Sequence, residues 1–215
     1  MNDLVLIPGL GSDAAVWSRT IAALGDRARC HVGDTLRDGT LPDMARRILA
    51  DAPATFALAG VSMGGMVALE IMRAAPERVS HLAMIASNAR PDTPEQAAQR
   101  RRSIVAARTP GDIRARGVAS LAWLVHPEAP TDVRDAIVDM GLRVGADVYA
   151  RQTEAVLNRP DQRSVLGTIV IPTLVVMGAQ DAMIPRDRAA EIVEGITGAE
   201  LVTIDARGLR TWAER

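Results

Sequence analysis

Residues 56–72, FALAGVSMGGMVALEIM, constrain the fold of this 215-residue chain more than any other stretch. Ser62 lies at the centre of the stretch, two residues after Gly60 and two before Gly64. The residues before it are typical of a buried strand, and the apolar residues after it recur at helical spacing. A G-x-S-x-G match arises by chance in roughly one chain in fifteen of this length. The strand and helix around it are therefore what predict a nucleophile elbow, which exposes a serine hydroxyl above a sheet.

The two glycines and the following helix give this serine a specific chemistry. Gly60 and Gly64 leave room for a sharp turn in which a larger side chain would clash, so Ser62 is predicted to adopt a strained backbone conformation. The helix that begins near Met63 has unpaired N–H groups in its first turn, and its dipole favours negative charge there. The Met63 N–H is therefore expected to stabilise an oxyanion on a substrate bonded to Ser62.

Short β-rich apolar runs alternate with helical patterns along most of the chain. This alternation predicts an α/β fold, a mostly parallel sheet with helices on both faces. The candidate strands are residues 4–7, 29–32, 55–59, 79–86, 173–177 and 200–204. The candidate helices between them are residues 13–24, 41–51, 63–75 and 186–196.

Residues 91–168 break the alternation, because they contain several helical patterns and no strand pattern. Thr93 followed by Pro94 is typical of a helix N-cap and first turn, and Thr131 is expected to begin another helix. We predict a helical lid at 91–168 inserted into an α/β core formed by residues 1–90 and 169–215.

Composition excludes several classes of protein. The formal net charge is −1, so no field of one sign attracts nucleic acid or an anionic membrane. Cys30 is the single cysteine, which excludes an intramolecular disulfide and favours a reducing compartment. The N-terminus lacks the features of a signal peptide, and no apolar run reaches about 18 residues. We expect a soluble, cytoplasmic protein without nucleic-acid or membrane partners, and no metal or cofactor motif is present.

Four motifs together give the chain a resemblance to the α/β-hydrolase superfamily. The resemblance runs from about residue 3 to about residue 205, and within the superfamily it is to small lid-bearing members of the enol-lactonase and ester-hydrolase kind. The motifs are LVLIPGLGSDAAVW, LAGVSMGGMVALEIM, PERVSHLAMIASNARPDTPEQ and PTLVVMGAQDAMIP.

The resemblance implies further site residues. The loop after the first strand would supply a second oxyanion donor, the backbone N–H of Leu10. Many members have His-Gly where this chain has Pro8-Gly9, a variant that should leave the backbone donor intact. Asp181 follows a strand end, where the family keeps the acid that orients the catalytic histidine.

The histidine itself has no residue in its expected place. The family keeps it in a Gly-His loop after the last strand, but Gly208 is followed here by Leu209. His31 and His81 lie inside strand patterns and are interpreted as structural, and His126 belongs to the lid. The chain also ends about where the last helix of the fold would begin, so that loop and helix appear missing.

Losing the histidine of a serine triad costs about a millionfold in turnover and leaves roughly a thousandfold over water. The sequence therefore predicts impaired activity. It also predicts a marginally stable protein with an exposed apolar face, through which a homo-oligomer could form. Gene degeneration, a sequence error or incomplete sequence, and true loss of catalysis remain as explanations.

Two weaker signals in the sequence each allow two interpretations. Trp123 either lines the pocket beneath the lid, as a substrate-binding residue, or packs within the lid. Arg100, Arg101 and Arg102 form either a solvated helix face or a contact for an anionic substrate.

The leading hypothesis is a hydrolase of the acyl-transfer type that acts on a small carboxylic ester or lactone. Ser62 would attack the carbonyl, the Leu10 and Met63 amides would hold the oxyanion, and Asp181 would orient the base. The alternatives are carbon–carbon bond hydrolysis on the same scaffold and a catalytically dead protein that binds a small ligand.

Overall fold

A six-stranded parallel sheet forms the centre of the protein, as the alternating pattern predicts. The computed structural model describes residues 2–111, 113–125, 129–179, 181 and 183–204. The strands lie in the order β2-β1-β3-β4-β5-β6, and each neighbouring pair is parallel. Their bounds are β1 Asn2–Ile7, β2 Ala28–Val32, β3 Phe56–Val61, β4 Val79–Ile85, β5 Thr173–Gly178 and β6 Glu200–Ile204.

Eight α-helices connect and flank these strands in the described part of the chain. They are α1 Ser18–Leu24, α2 Leu41–Asp51, α3 Met63–Ala74, α4 Pro94–Arg108, α5 Ile113–Leu124, α6 Thr131–Leu157, α7 Arg163–Leu166 and α8 Arg186–Gly195. The predicted helix at 13–24 is a 3-10 turn, Ala14–Trp17, followed by α1. Asp13 ends the preceding loop, since its carboxylate accepts the Ala15 N–H at 2.9 Å.

Alternating side chains of the sheet build two separate cores. In β1, Val5 and Ile7 belong to the larger core, which α2, α3 and α8 cover. Leu6 points the other way and packs in a smaller core with the buried Trp17, against which Ile21 of α1 also packs. The period of two that marks a strand therefore places helices on both faces of the sheet.

Within the described residues, the face of the smaller core has an exposed apolar side chain near β5 and β6. Val175 and Met177 lie in the larger core, so Leu174 and Val176 point to the opposite face. Val202 is the register partner of Val176 and is 45% exposed. Within the described residues, α1 is the helix that packs in this smaller core, and it does so beside β1 rather than β5.

Four helices, α4 to α7, lie between β4 and β5 without an intervening strand in the described residues. Thr93 caps α4 as predicted: its hydroxyl accepts the Gln96 N–H, and the Gln96 side chain accepts the Thr93 N–H at 3.0 Å. Helix α6 begins at Thr131, also as predicted, and is interrupted by Gly145, whose φ of 77° and ψ of 166° are not helical. Assignment of 91–168 as a lid domain remains a prediction.

None of the helices among the described residues combines the length and apolar character needed to span a bilayer.

Candidate active site

Ser62 has the strained backbone that a nucleophile elbow requires. It follows β3 directly and precedes α3, with φ 53° and ψ −116°. Positive φ is uncommon for a residue with a side chain and costs on the order of 1–3 kcal/mol. A serine before a helix ordinarily caps it, but the Ser62 side chain makes no capping hydrogen bond. The turn therefore leaves the hydroxyl available for chemistry.

Glycines make this turn possible because backbone segments meet there. A Cβ on Gly60 would lie 2.3 Å from the Gly64 carbonyl oxygen, and one on Gly64 would lie 2.2 Å from the Ile7 carbonyl oxygen. Both distances are far below van der Waals contact. The predicted need for small residues at these positions is thus confirmed in physical terms.

The loop after β1 passes beside the nucleophile. A Cβ on Gly9 would lie 3.6 Å from the Ser62 Cβ and 3.3 Å from the Val61 carbonyl oxygen. The Ser12 N–H donates to the Gly9 carbonyl at 3.2 Å, which closes a tight turn around Leu10. Leu10 is partly buried and packs against the larger core. The structure thereby brings the predicted donor loop against the predicted nucleophile.

Met63 is the first residue of α3 and is 1% exposed. Its N–H belongs to the first turn, where backbone donors have no intrahelical acceptor. Because α3 begins immediately after Ser62, the positive end of the helix dipole lies at the nucleophile. This placement agrees with the role predicted for the Met63 amide, which itself stays a prediction.

Ser87 supports the elbow, although no local pattern in the sequence predicts this contact. Its hydroxyl donates to the Ser62 carbonyl at 2.8 Å, and the residue is 3% exposed. A Cβ on Gly65 would lie 2.4 Å from this hydroxyl, so Gly65 keeps the space that Ser87 fills. The Ser62 N–H donates to the Ile85 carbonyl at 2.8 Å. Both backbone groups of the strained serine are therefore held in place.

Asp181 lies three residues after β5, at the same edge of the sheet as Ser62. Its Oδ1 accepts the N–H groups of Met183 and Ile184 at 2.8 and 2.9 Å. Its Oδ2 is buried and has no hydrogen-bond partner within the described residues. An unsatisfied buried carboxylate oxygen is costly, so its presence calls for a donor such as an imidazole N–H.

The strand register shows that two of the histidines cannot reach Ser62. His81 pairs with Ala57, five residues before Ser62, or about 16 Å along the strand. His31 lies on β2, two strands from β3, and its Nε2 lies 2.8 Å from the Asp3 Oδ1. Neither is therefore placed to act as the base for Ser62, which agrees with the interpretation from the sequence.

The remaining predicted positions concern the base and the pocket. His126, Gly208 and Leu209 lie outside the described residues. Trp123 is a residue of α5, and its role as a substrate contact stays a prediction. Among the described residues, no group of histidine, cysteine and carboxylate side chains is arranged to hold a metal ion.

The three elements that meet at this edge divide the chemistry between them. The end of β3 supplies a strained hydroxyl, the loop after β1 supplies backbone donors beside it, and the end of β5 supplies a carboxylate. Ser62 and Asp181 follow β3 and β5, which are separated by β4, or by about 10 Å across the sheet. A ring with a hydrogen-bonding nitrogen on each side has the size to bridge such a gap.

Comparison with known proteins agrees with this arrangement. Residues 4–212 match the model of the alpha/beta hydrolase family, and the chain belongs to that family. A pimeloyl-[acyl-carrier protein] methyl ester esterase of Pectobacterium carotovorum subsp. carotovorum (strain PC1) is 32% identical over 220 residues, 90% of this chain and 81% of the relative.

Two solved structures are similar over nearly the whole fold. An enol-lactonase from Burkholderia xenovorans LB400 has a TM-score of 0.84 and 26% identity, covering 97% of this chain and 84% of the other. A thermophilic esterase from Thermogutta terrifontis has a TM-score of 0.85 and 25% identity, covering 100% of this chain and 85% of the other. The resemblance stated from the motifs is confirmed.

Proposed function

We propose that this chain is a serine hydrolase that cleaves a small carboxylic ester by acyl transfer. The observation that carries the proposal is the conformation of Ser62. Its backbone is strained, its side chain makes no capping hydrogen bond to α3, and it lies beside the Gly9 loop. A structural serine before a helix gains stability from capping and has no need of this conformation.

In the proposed reaction the Ser62 hydroxyl attacks the ester carbonyl and loses its proton to an imidazole base. The carbonyl oxygen gains negative charge and accepts hydrogen bonds from the Leu10 and Met63 amides. The base then protonates the leaving alcohol, and water hydrolyses the acyl-serine by the same steps in reverse order. Asp181 holds the base through its unpaired Oδ2 and stabilises the imidazolium that forms.

The proposed mechanism needs a base that none of the described histidines supplies. His31 and His81 are too far away, and Leu209 follows Gly208 where the family has its histidine. We propose that the chain alone turns over slowly and that free imidazole restores part of the lost rate. A catalytic rate that depends on Ser62 but lacks its base retains about a thousandfold over water.

The names of the relatives favour an acyl methyl ester as the substrate class. The Pectobacterium relative is named for the methyl ester of a pimeloyl group carried on acyl-carrier protein, and the Burkholderia structure for an enol-lactone. An ester and a lactone share the carbonyl chemistry that Ser62 would perform. We propose the open methyl ester first, because the named esterase is 32% identical to this chain and the enol-lactonase is 26% identical.

The test measures hydrolysis of p-nitrophenyl butyrate and of dimethyl pimelate, each with and without imidazole. Ser62→Ala is the matched control, because imidazole alone also cleaves activated esters. We expect imidazole to raise the rate of the native chain at least tenfold above that of Ser62→Ala. Equal rates for the two proteins under all conditions would contradict the proposal.

A binding protein without turnover is the second candidate, since no described histidine reaches the nucleophile. Saturable binding of dimethyl pimelate that survives Ser62→Ala, with no hydrolysis, would favour it. Turnover without imidazole that is lost in His126→Ala would instead identify the lid histidine as the base.

A further inference from the structure

Gln152 of α6 is a buried amide whose contacts point to the active-site loop. It is 0% exposed, although a glutamine on an inserted helix is ordinarily solvated. Its Oε1 accepts the Gly11 N–H at 2.8 Å, across 141 residues of sequence. Its Nε2 donates to the Thr35 carbonyl at 3.0 Å. One side chain therefore joins the loops that follow β1 and β2.

Gly11 follows Leu10 in the loop, and its backbone N–H is bonded to a residue outside the loop, Gln152. Its φ is +71°, at the third position of the turn from Gly9 to Ser12, where type II turns require a positive φ. The hydrogen bond to Gln152 fixes the plane of the Leu10–Gly11 peptide. The bond from Ser12 N–H to the Gly9 carbonyl fixes the plane of the Gly9–Leu10 peptide, which carries the Leu10 N–H.

Other residues of α6 hold the same loop. A Cβ on Gly11 would lie 3.3 Å from the Tyr149 ring, and Tyr149 is one helical turn before Gln152. Arg143 donates through Nε to the Asp13 carboxylate at 2.8 Å, on the other side of the Gly145 kink. Residues of α6 thus lie against the loop at three points, and among them, within the described residues, Gln152 is the one that hydrogen-bonds the backbone beside Leu10.

We propose that Gln152 is a positioning residue that sets the direction of the Leu10 N–H in the oxyanion hole. The proposal rests on the proposed function, because the Leu10 N–H acts as an oxyanion donor only if Ser62 attacks an ester. Loss of the Gln152 acceptor leaves the Gly11 N–H unpaired and loosens the turn from Gly9 to Ser12. The Gly9–Leu10 peptide, which carries the Leu10 N–H, then loses its fixed direction. The donor is then lost mainly in the transition state, which lowers kcat more than it changes KM.

The test compares Gln152→Met, which keeps the volume but removes both hydrogen bonds, with Thr35→Val. The Thr35 hydroxyl lies 3.4 Å from Nε2, so Thr35→Val disturbs the far side of the amide and keeps the bond to Gly11. We expect Gln152→Met to lower the imidazole-assisted, Ser62-dependent kcat at least tenfold, with KM within twofold. Thr35→Val is expected to keep kcat within threefold.

A second readout does not need turnover. Amide hydrogen exchange of Gly11, followed by NMR, is expected to become at least tenfold faster in Gln152→Met and to stay unchanged in Thr35→Val. If the native chain shows no Ser62-dependent turnover, the proposed function fails, and unchanged Gly11 exchange in Gln152→Met overturns the positioning role separately. Equal losses of kcat in both variants, or a loss confined to KM, would also overturn it.

Discussion

Gly64 is a position in the elbow where backbone atoms leave no room for a side chain. The Ile7 and Pro8 carbonyl oxygens would lie 2.2 and 2.8 Å from a Cβ at this position. Both are backbone atoms of the strand and loop that carry the predicted oxyanion donor, so a shift of either is expected to displace Leu10. Local backbone crowding therefore links the stability of the fold to the geometry of the site.

We predict that Gly64→Ala lowers the free energy of unfolding by about 3 kcal/mol through this overpacking. Gly167→Ala is the control, because Gly167 has an ordinary φ of −67° and nothing within 4 Å of its Cβ position. Chemical denaturation of both variants checks the prediction. A loss in Gly64→Ala no larger than that in Gly167→Ala would show that the elbow tolerates a side chain.

The unpaired oxygen of Asp181 leads to a prediction about charge rather than shape. Asp181→Asn keeps the Oδ1 acceptor for Met183 and Ile184, so stability should change by less than about 1 kcal/mol. The neutral amide cannot stabilise an imidazolium, and we expect the Ser62-dependent rate with imidazole to fall at least tenfold. Steady-state hydrolysis checks this, with Asp187→Asn, an exposed carboxylate of α8, as the control. Equal rates in both variants would remove Asp181 from the mechanism.

At the scale of elements, Gly145 divides α6 into two arms. Its φ of 77° and ψ of 166° lie where glycine alone is common, and nothing lies within 4 Å of its Cβ position. Gly141, one turn earlier, has the same open surroundings but no positive φ. The space around the Cβ position is therefore alike at the two glycines, and their backbone conformations differ.

We predict that Gly145→Ala destabilises the protein by about 1–3 kcal/mol, because alanine is strained at this φ and ψ. Gly141→Ala should stabilise by about 0.5–1 kcal/mol, because glycine lowers helix stability relative to alanine. Thermal denaturation of the two variants distinguishes them. Similar shifts of Tm would mean that α6 is continuous at Gly145.

A buried ion pair joins the chain just before α4 to the chain just after α6. Arg159 and Asp92 approach to 3.0 Å with side-chain exposures of 1% and 4%. Burial lowers the pKa of the Arg159 guanidinium, and the hydrogen bond to Asp92 opposes that shift. Arg159 also donates to the carbonyls of Arg90 and Val156, at 2.6 Å in each case. Asp92 additionally accepts from Arg100.

We predict that Asp92→Ala costs about 3–5 kcal/mol, because it leaves a buried guanidinium without a counter-charge. The double variant Asp92→Ala with Arg159→Met should cost less, since it removes both charges. Arg114→Ala breaks an exposed pair with Asp139 and should cost less than about 1 kcal/mol. Urea denaturation provides the values. A double variant less stable than Asp92→Ala would contradict this account.

Local patterns in the sequence were sufficient to predict most elements but not their long-range contacts. Helix α2 and strand β6 have the predicted bounds, because caps and apolar periodicity are local signals. The Gln152 contact to Gly11 spans 141 residues and leaves no local signal. The break of α6 at Gly145 could not be predicted either, since a glycine within a helical pattern does not indicate a positive φ.

At the scale of the whole molecule, the sheet explains why the site forms where it does. Parallel strands bring their carboxyl ends to one edge, so Ser62 after β3, the Gly9 loop after β1 and Asp181 after β5 meet there. Order along the chain was therefore sufficient to predict which loops lie together at this edge, while the roles of their residues stay predictions. The unpaired Oδ2 of Asp181 could not be predicted from the sequence, because it depends on which donors the folded chain places near this atom.

The second property at this scale, for the residues that the structure describes, is an exposed apolar side chain on the outer strand of the sheet. Val202 is 45% exposed on β6, in register with Val176. Self-association through this face, predicted from the sequence, stays a prediction.

Covalent labelling of Ser62 tests the central claim most directly. The protein would be treated with an alkyl fluorophosphonate in the presence of imidazole, and intact-protein and peptide mass spectrometry would locate the adduct. We predict one phosphonyl group per chain, on the peptide that contains Ser62, and no labelling of Ser62→Ala under the same conditions. An unlabelled native chain, or equal labelling of both proteins, would show that Ser62 is not a nucleophile.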